Sequence, residues 1–331
     1  MNVATRHRPS SIGSWLRRAA TAQARRLLIG CLALSAWGAA QADSCGIERV
    51  GSTALVTQGG HFVSPVVVNG QSGIAFVPDT ASERSAIDAA VAGQLDLPQF
   101  GTQPRRMIGT DGVPGRAYFD VTAERFNFAD MPHRNVRMGV SDLSGGRPDG
   151  VRGVVGAELL NRYDLEFDFP GQRLNLYRVS DCGPYSAALL LPWLQPYDAV
   201  PLKVSDRHIL SLPLTIDGKT LEMALDTGAT STKITMAAAT GKLGLDLDRL
   251  KAEAPRSTSY SSTGASMSNF GMRFDKVRLG QASYANARIR VSEIDVRPYD
   301  GLLGLDFLRK RKVWVSYATQ QLLLERVPAR P

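Results

Sequence analysis

The feature that most constrains this chain is an internal repeat. "FVPDTASERSAI", Phe76 to Ile87, lines up with "MALDTGATSTKI", Met223 to Ile234, and Asp226 follows Asp79 by 147 residues. Further on, "VVGAELLNRYDLEFDFPGQRLNLYR" from Val154 matches "LLGLDFLRKRKVWVSYATQQLLLER" from Leu302, with Gly304 following Gly156 by 148 residues. Upstream, "SPVVVNG" ending at Gly70 matches "LPLTIDG" ending at Gly218. Repeats in register over so long a span mean one supersecondary plan used twice. Each copy opens with an alternating strand that closes on Asn-Gly or Asp-Gly, a hairpin signal. Short β-rich segments broken by Gly, Pro and Ser follow, with only brief helical candidates. The fold expected is mainly β: two tandem pseudo-symmetric β-barrel lobes with a few short helices.

The repeat also sets the domain limits. Residues 43–182 form the N-terminal lobe and 200–331 the C-terminal lobe, joined by a Gly- and Pro-containing linker at 183–199. Residues 1–42 stand outside the repeat and read as a signal peptide. They hold six arginines and no acid, then the apolar stretch Leu27 to Ala40 and the small-x-small sequence Ala40-Gln41-Ala42. The formal charge of +8 is largely theirs: the remainder carries 33 basic against 31 acidic residues, so no nucleic-acid partner is implied. Export, to the periplasm or beyond, is expected, with no stable membrane insertion of the mature chain. Of the three cysteines, Cys31 leaves with the signal. Cys45 and Cys182 then remain for an oxidising compartment, where a disulfide between them is expected.

Asp79 and Asp226 each end an apolar run, where a lone charge is costly. If the two lobes pack about a pseudo-twofold axis, the carboxylates meet. Two carboxylates a few ångströms apart share a proton, so that one acts as base and the other as acid at one pH. Such a pair can activate water and protonate a leaving group without metal or cofactor, and none is expected. Thr80 and Thr227 offer hydroxyls to lock the two loops, Gly228 lets a backbone N–H approach its carboxylate, and Gly156 and Gly304 let a core strand pass beneath each loop. His61 and His208, at similar hairpin positions, read as solvated turn residues. No metal-ligand cluster, Gly-x-Ser-x-Gly elbow or phosphate-cradling loop is apparent.

These residues resemble the aspartic proteases, and closely their retropepsin-like bacterial branch. The resemblance rests on Asp226-Thr227-Gly228 with Leu302-Leu303-Gly304, and on Asp79-Thr80-Ala81 with Val154-Val155-Gly156, at spacings of 78 and 77 residues. It implies catalytic roles for Asp79 and Asp226. Thr80, Ala81, Thr227 and Gly228 would support the active loops, and hairpin flaps would have tips at Gly109 to Gly112 and Ser261 to Ser266. It also implies a polypeptide substrate. The matched tandem copies imply a monomer that holds the whole site. Two departures, Ala81 in place of glycine and Pro78 before the aspartate, keep a second reading open, a peptide-binding module impaired in catalysis. A glycosidase would also use two carboxylates, but the Thr-Gly neighbours and the repeat symmetry speak against it.

Overall fold

The computed structural model describes residues 45–143, 150–183, 190 and 196–326. The expected signal peptide and most of the expected linker lie outside the described residues.

The duplicated plan is complete at the level of elements. The first half contains strands β1 (Gly46–Ala54), β2 (Val56–Gln58), β3 (His61–Val68), β4 (Gln71–Pro78), β5 (Ala86–Asp88), β6 (Gln99–Ile108), β7 (Pro114–Phe128), β8 (Met131–Ser141), β9 (Gly153–Val155), β10 (Asp164–Asp168) and β11 (Arg173–Ser180), with helices α1 (Ala89–Gln94) and α2 (Ala157–Leu160). The second half repeats them in order as β12 (Tyr197–Pro201), β13 (Lys203–Val204), β14 (Leu210–Ile216), β15 (Lys219–Leu225), β16 (Lys233–Thr235), β17 (Arg256–Tyr260), β18 (Ser266–Leu279), β19 (Ala282–Ser292), β20 (Gly301–Leu303), β21 (Lys312–Ser316) and β22 (Gln321–Glu325). Helices α3 (Met236–Gly241) and α5 (Leu305–Leu308) match α1 and α2, and α4 (Leu247–Glu253) is an addition.

Local chemistry explains the correspondences. The β3–β4 turn has Asn69 and Gly70 at φ 48° and 95°, and the β14–β15 turn has Asp217 and Gly218 at 46° and 82°. A two-residue hairpin with both central φ positive needs such residues, as the sequence indicates. Helices α1 and α3 start on matching caps: Asp88 accepts from the Ala90 N–H and Thr235 from the Ala238 N–H.

In the first half, β3-β4-β9-β5-β8-β7 close into a six-stranded barrel because β7 also pairs with β3. In the second, β14-β15-β20-β16-β19-β18 close in the same way through β14 and β18. Fully buried Phe76, Phe126 and Met138 fill the first barrel, and Leu212, Leu214 and Val291 the second. Strands β2 and β6 extend the first barrel and β13 and β17 the second, and the other six strands form a third sheet, β1-β11-β10-β21-β22-β12, three from each half. Its centre is the antiparallel β10–β21 pair, where Glu166 faces Trp314 and Phe167 faces Val313. One continuous ladder of hydrogen bonds therefore runs from one half into the other. The Cys45–Cys182 disulfide is present and joins the start of β1 to the end of β11. Among the described residues, no helix is long and apolar enough to cross a membrane.

Candidate active site

Asp79 leaves β4 and Asp226 leaves β15, each beside a short parallel partner: Pro78 pairs with Val155 and Leu225 with Leu303. The two loops repeat each other bond for bond. The Asp79 N–H donates to Val155 O at 2.9 Å and the Asp226 N–H to Leu303 O at 3.0 Å. Asp79 Oδ1 accepts from the Ala81 and Ser82 N–H groups at 2.8 and 3.2 Å. Asp226 Oδ1 accepts from Gly228 and Ala229 at 2.9 and 2.7 Å.

Neither departure of the first loop disturbs this geometry. The Ala81 N–H donates as the Gly228 N–H does. Donors alternate along a strand, so with Asp79 turned toward β9 an N–H at residue 78 would face β3. The β3–β4 register ends at the Ser64–Phe76 pair, and Pro78 breaks no bond there.

The threonines bind the loops to one another. Thr80 Oγ1 donates to Leu225 O at 2.5 Å, and Thr227 Oγ1 donates to Pro78 O at 2.7 Å. Each backbone N–H also donates to the opposite hydroxyl, Thr80 to Thr227 and Thr227 to Thr80, both at 3.2 Å. Both side chains are buried. Four bonds at about 1 kcal/mol each, in a site where an orphaned partner costs more, hold the two halves in register. The two carboxyls are close enough for each to act on the other. A Cβ on Gly228 would come 2.5 Å from Asp79 Oδ2, so that approach requires glycine. Gly156 and Gly304 behave as expected, since a Cβ would strike the backbone at Arg84 and Ser231 respectively.

Burial raises both carboxyls above the ordinary aspartate value. The charge of Asp79 adds to the effect on Asp226, and the backbone N–H groups oppose it at each. One proton held between the two satisfies both environments.

A second pair of interactions, which the sequence analysis missed, braces the loops from below. Ser85 N–H donates to Glu158 Oε1 at 2.8 Å, and Ser85 Oγ accepts from the Gly156 N–H at 3.0 Å. Thr232 donates to Asp306 Oδ1 through its N–H at 2.8 Å and its hydroxyl at 2.6 Å, and its Oγ1 accepts from the Gly304 N–H at 3.0 Å. The signal was available: Thr232 follows Ser85 by 147 residues and Asp306 follows Glu158 by 148.

Histidine 61 departs from expectation. Its Nδ1 lies 2.9 Å from Gly228 O, a hydrogen bond to the opposite half's aspartate loop. The tip of the equivalent hairpin, at Arg207, reaches Glu83 of the first loop at 2.8 Å. His208 itself is exposed, as expected.

The two expected flap tips lie on hairpins β6–β7 and β17–β18, and they meet. The Asp295 N–H donates to Thr110 O at 2.9 Å, and Ser141 Oγ donates to Ser262 O at 3.3 Å, so each tip is bonded to the other half. A Cβ on Gly109 would lie 2.7 Å from Thr263 Oγ1, a measure of how closely the tips approach. Among the described residues, no group of three or more His, Cys, Asp or Glu side chains could hold a metal ion.

Comparison with known proteins gives a match in each half. Residues 64–159 match the family model described as "Aspartyl protease", and residues 212–310 match "gag-polyprotein putative aspartyl protease". A search of curated proteins found no match. Among solved structures, a retropepsin-like aspartic protease from Rickettsia conorii is similar over 39% of this chain and 90% of that chain, with 16% identity and a TM-score of 0.32.

Proposed function

We propose that this chain, each half of which matches an aspartyl protease family model, is an exported aspartic endopeptidase whose dyad is Asp79 and Asp226. The observation that carries the reading is the reciprocal threonine lock with the two facing carboxyls.

With one proton on the pair, the ionised carboxylate takes a proton from a water lying between the aspartates, and the water attacks the peptide carbonyl. The protonated carboxyl donates to the carbonyl oxygen as charge develops there. Collapse of the tetrahedral intermediate delivers a proton to the departing nitrogen and returns the pair to its starting state. The intact bonding of the Asp79 loop, matched to that of the Asp226 loop, weighs against a merely binding role. An extended polypeptide under the two hairpins, paired as a strand, is the substrate that this arrangement accommodates. The disulfide fits an oxidising compartment, in line with an N-terminal export signal. A monomer suffices, because one chain supplies both carboxylates.

The test is hydrolysis of an unfolded protein across pH. A bell-shaped profile is expected: activity falls in acid, where both carboxyls are protonated, and again where both are ionised. Because burial raises both groups, the upper limb should lie above the ordinary carboxylate range. A rate that climbs steadily into alkaline pH, or that a chelator abolishes, would contradict the mechanism.

A further inference from the structure

Strand β16, which follows the Asp226 loop, carries a cation close enough to feel the charge of Asp226. Ile234 is fully buried in the core, so the alternation of the strand turns Lys233 to the opposite face. There Lys233 Nζ donates to Ser259 Oγ at 3.0 Å, on the first strand of the second flap hairpin. That hydroxyl belongs to a polar chain in which Asn269 Nδ2 donates to Ser259 Oγ at 3.0 Å and Ser292 Oγ donates to Asn269 Oδ1 at 2.6 Å. Only 9% of Lys233 is exposed. Among the described residues, Ser259 is its hydrogen-bond acceptor and no carboxylate forms an ion pair with it, although an ammonium has three protons to donate. The charges that act on it are Asp226 and Arg290, its neighbour on β19. The first half has no counterpart, since the matching position is Ala86.

A buried cation with no carboxylate in ion-pair contact is costly to the fold, since Asp226 acts on Lys233 through its charge without a direct bridge, and such costs persist where a ligand supplies a contact partner. We propose that Lys233 is a specificity-determining residue that receives the carboxylate of an Asp or Glu side chain of the substrate, on the Asp226 side of the site. The inference rests on the peptidase reading above. Aspartate and glutamate side chains are the anions that an internal peptide segment can present. Near the dyad, the ammonium offsets their repulsion from its negative charge. In a desolvated position, the neutral amide isostere would leave the cation unpaired, and this makes the discrimination strong.

The test compares peptides that differ only by Glu or Gln at each position flanking the scissile bond, with kcat/KM measured for the wild type, Lys233→Met and Lys233→Glu. The wild type should favour Glu at one position by about tenfold or more. That ratio should collapse toward one in Lys233→Met and turn toward a Lys-bearing peptide in Lys233→Glu; thermal melting shows whether each variant folds. A ratio near one throughout for the wild type, or one that survives in Lys233→Met, overturns the inference. So does an equal fall for both peptides with a displaced pH profile, which would mean that Lys233 acts only on the charge of the dyad. Binding of the same peptides to the Asp79→Asn chain, read by fluorescence anisotropy, separates the two readings. Glu-selective binding that Lys233→Met removes, in a protein that cleaves nothing as wild type, would sink the peptidase reading and leave Lys233 as an acid-binding group. Cleavage without Glu selectivity would sink only the role of Lys233.

Discussion

Two desolvated aspartates, Asp226 buried and Asp79 half-buried, are a liability to the folded chain, and this gives a residue-scale prediction. Both carboxyls sit above the ordinary value of 3.8. The unfolded chain titrates near that value, so at higher pH the native state holds more protons and its stability falls as pH rises toward the native values. Below 3.8 both states are protonated and the difference vanishes. Asp79→Asn and Asp226→Asn should therefore each melt a few degrees above the wild type at neutral pH, and the gain should disappear in acid. Melting curves across pH check this, and a destabilised Asn variant at neutral pH would contradict it. The third positions of the two motifs differ in a testable way. Gly228→Ala drives a Cβ into Asp79 and should lower kcat on the order of 10²-fold, the scale of an ångström-sized misplacement. Ala81→Gly removes a Cβ that the loop already accommodates, and should leave kcat within about twofold of wild type, because the N–H that donates to Asp79 remains.

At the scale of elements, Thr232→Val tests the brace beneath the second loop. It removes the hydroxyl that bonds Asp306 and accepts from Gly304. The loss should be about 1–3 kcal/mol of stability, with a fall in kcat because the Asp226 loop shifts. Unchanged unfolding in denaturant would show that the brace is idle. These elements differ in how far the sequence revealed them. The Asn69-Gly70 and Asp217-Gly218 turns were legible because their chemistry is local and the backbone demands it. The Asp-Thr motifs were legible because they occur twice. The Ser85–Glu158 and Thr232–Asp306 braces obey the same repeat, but they join residues more than 70 positions apart, and an acid two residues after a glycine has no meaning until the strand and loop are stacked. His61 was misread for a related reason. Its hairpin tip crosses to the other half's loop, and a turn residue's own neighbours in sequence carry no trace of such a crossing. Lys233 likewise shows its interest only through burial, since lysine in a polar run reads as solvated.

At the scale of the whole molecule, the six-stranded sheet holds the halves as one body, and the disulfide closes the first half's part of that sheet. Replacing Cys45 and Cys182 by Ser releases a constraint across 137 residues and should cost up to about 5 kcal/mol on chain-entropy grounds, while turnover below the melting transition persists. Loss of activity in a fully folded double Ser variant would place the disulfide nearer the chemistry than the sheet order suggests. The duplicated architecture was legible from the 147-residue repeat, whereas the third sheet, built from the outermost strands of both copies, was not. A sheet shared between repeats belongs to neither copy's own pattern. On the function proposed above, one chain builds one site from its two halves. The most direct measurement is the specific activity of Asp79→Asn, Asp226→Asn and the double variant over a range of enzyme concentrations. Each single substitution should remove nearly all hydrolysis and the double should be little worse, because the pair acts as a unit. Wild-type specific activity should not change on dilution. A folded Asp79→Asn protein that keeps near-normal turnover and loses it on dilution would mean that two chains pair their Asp226 residues, and would contradict the claim.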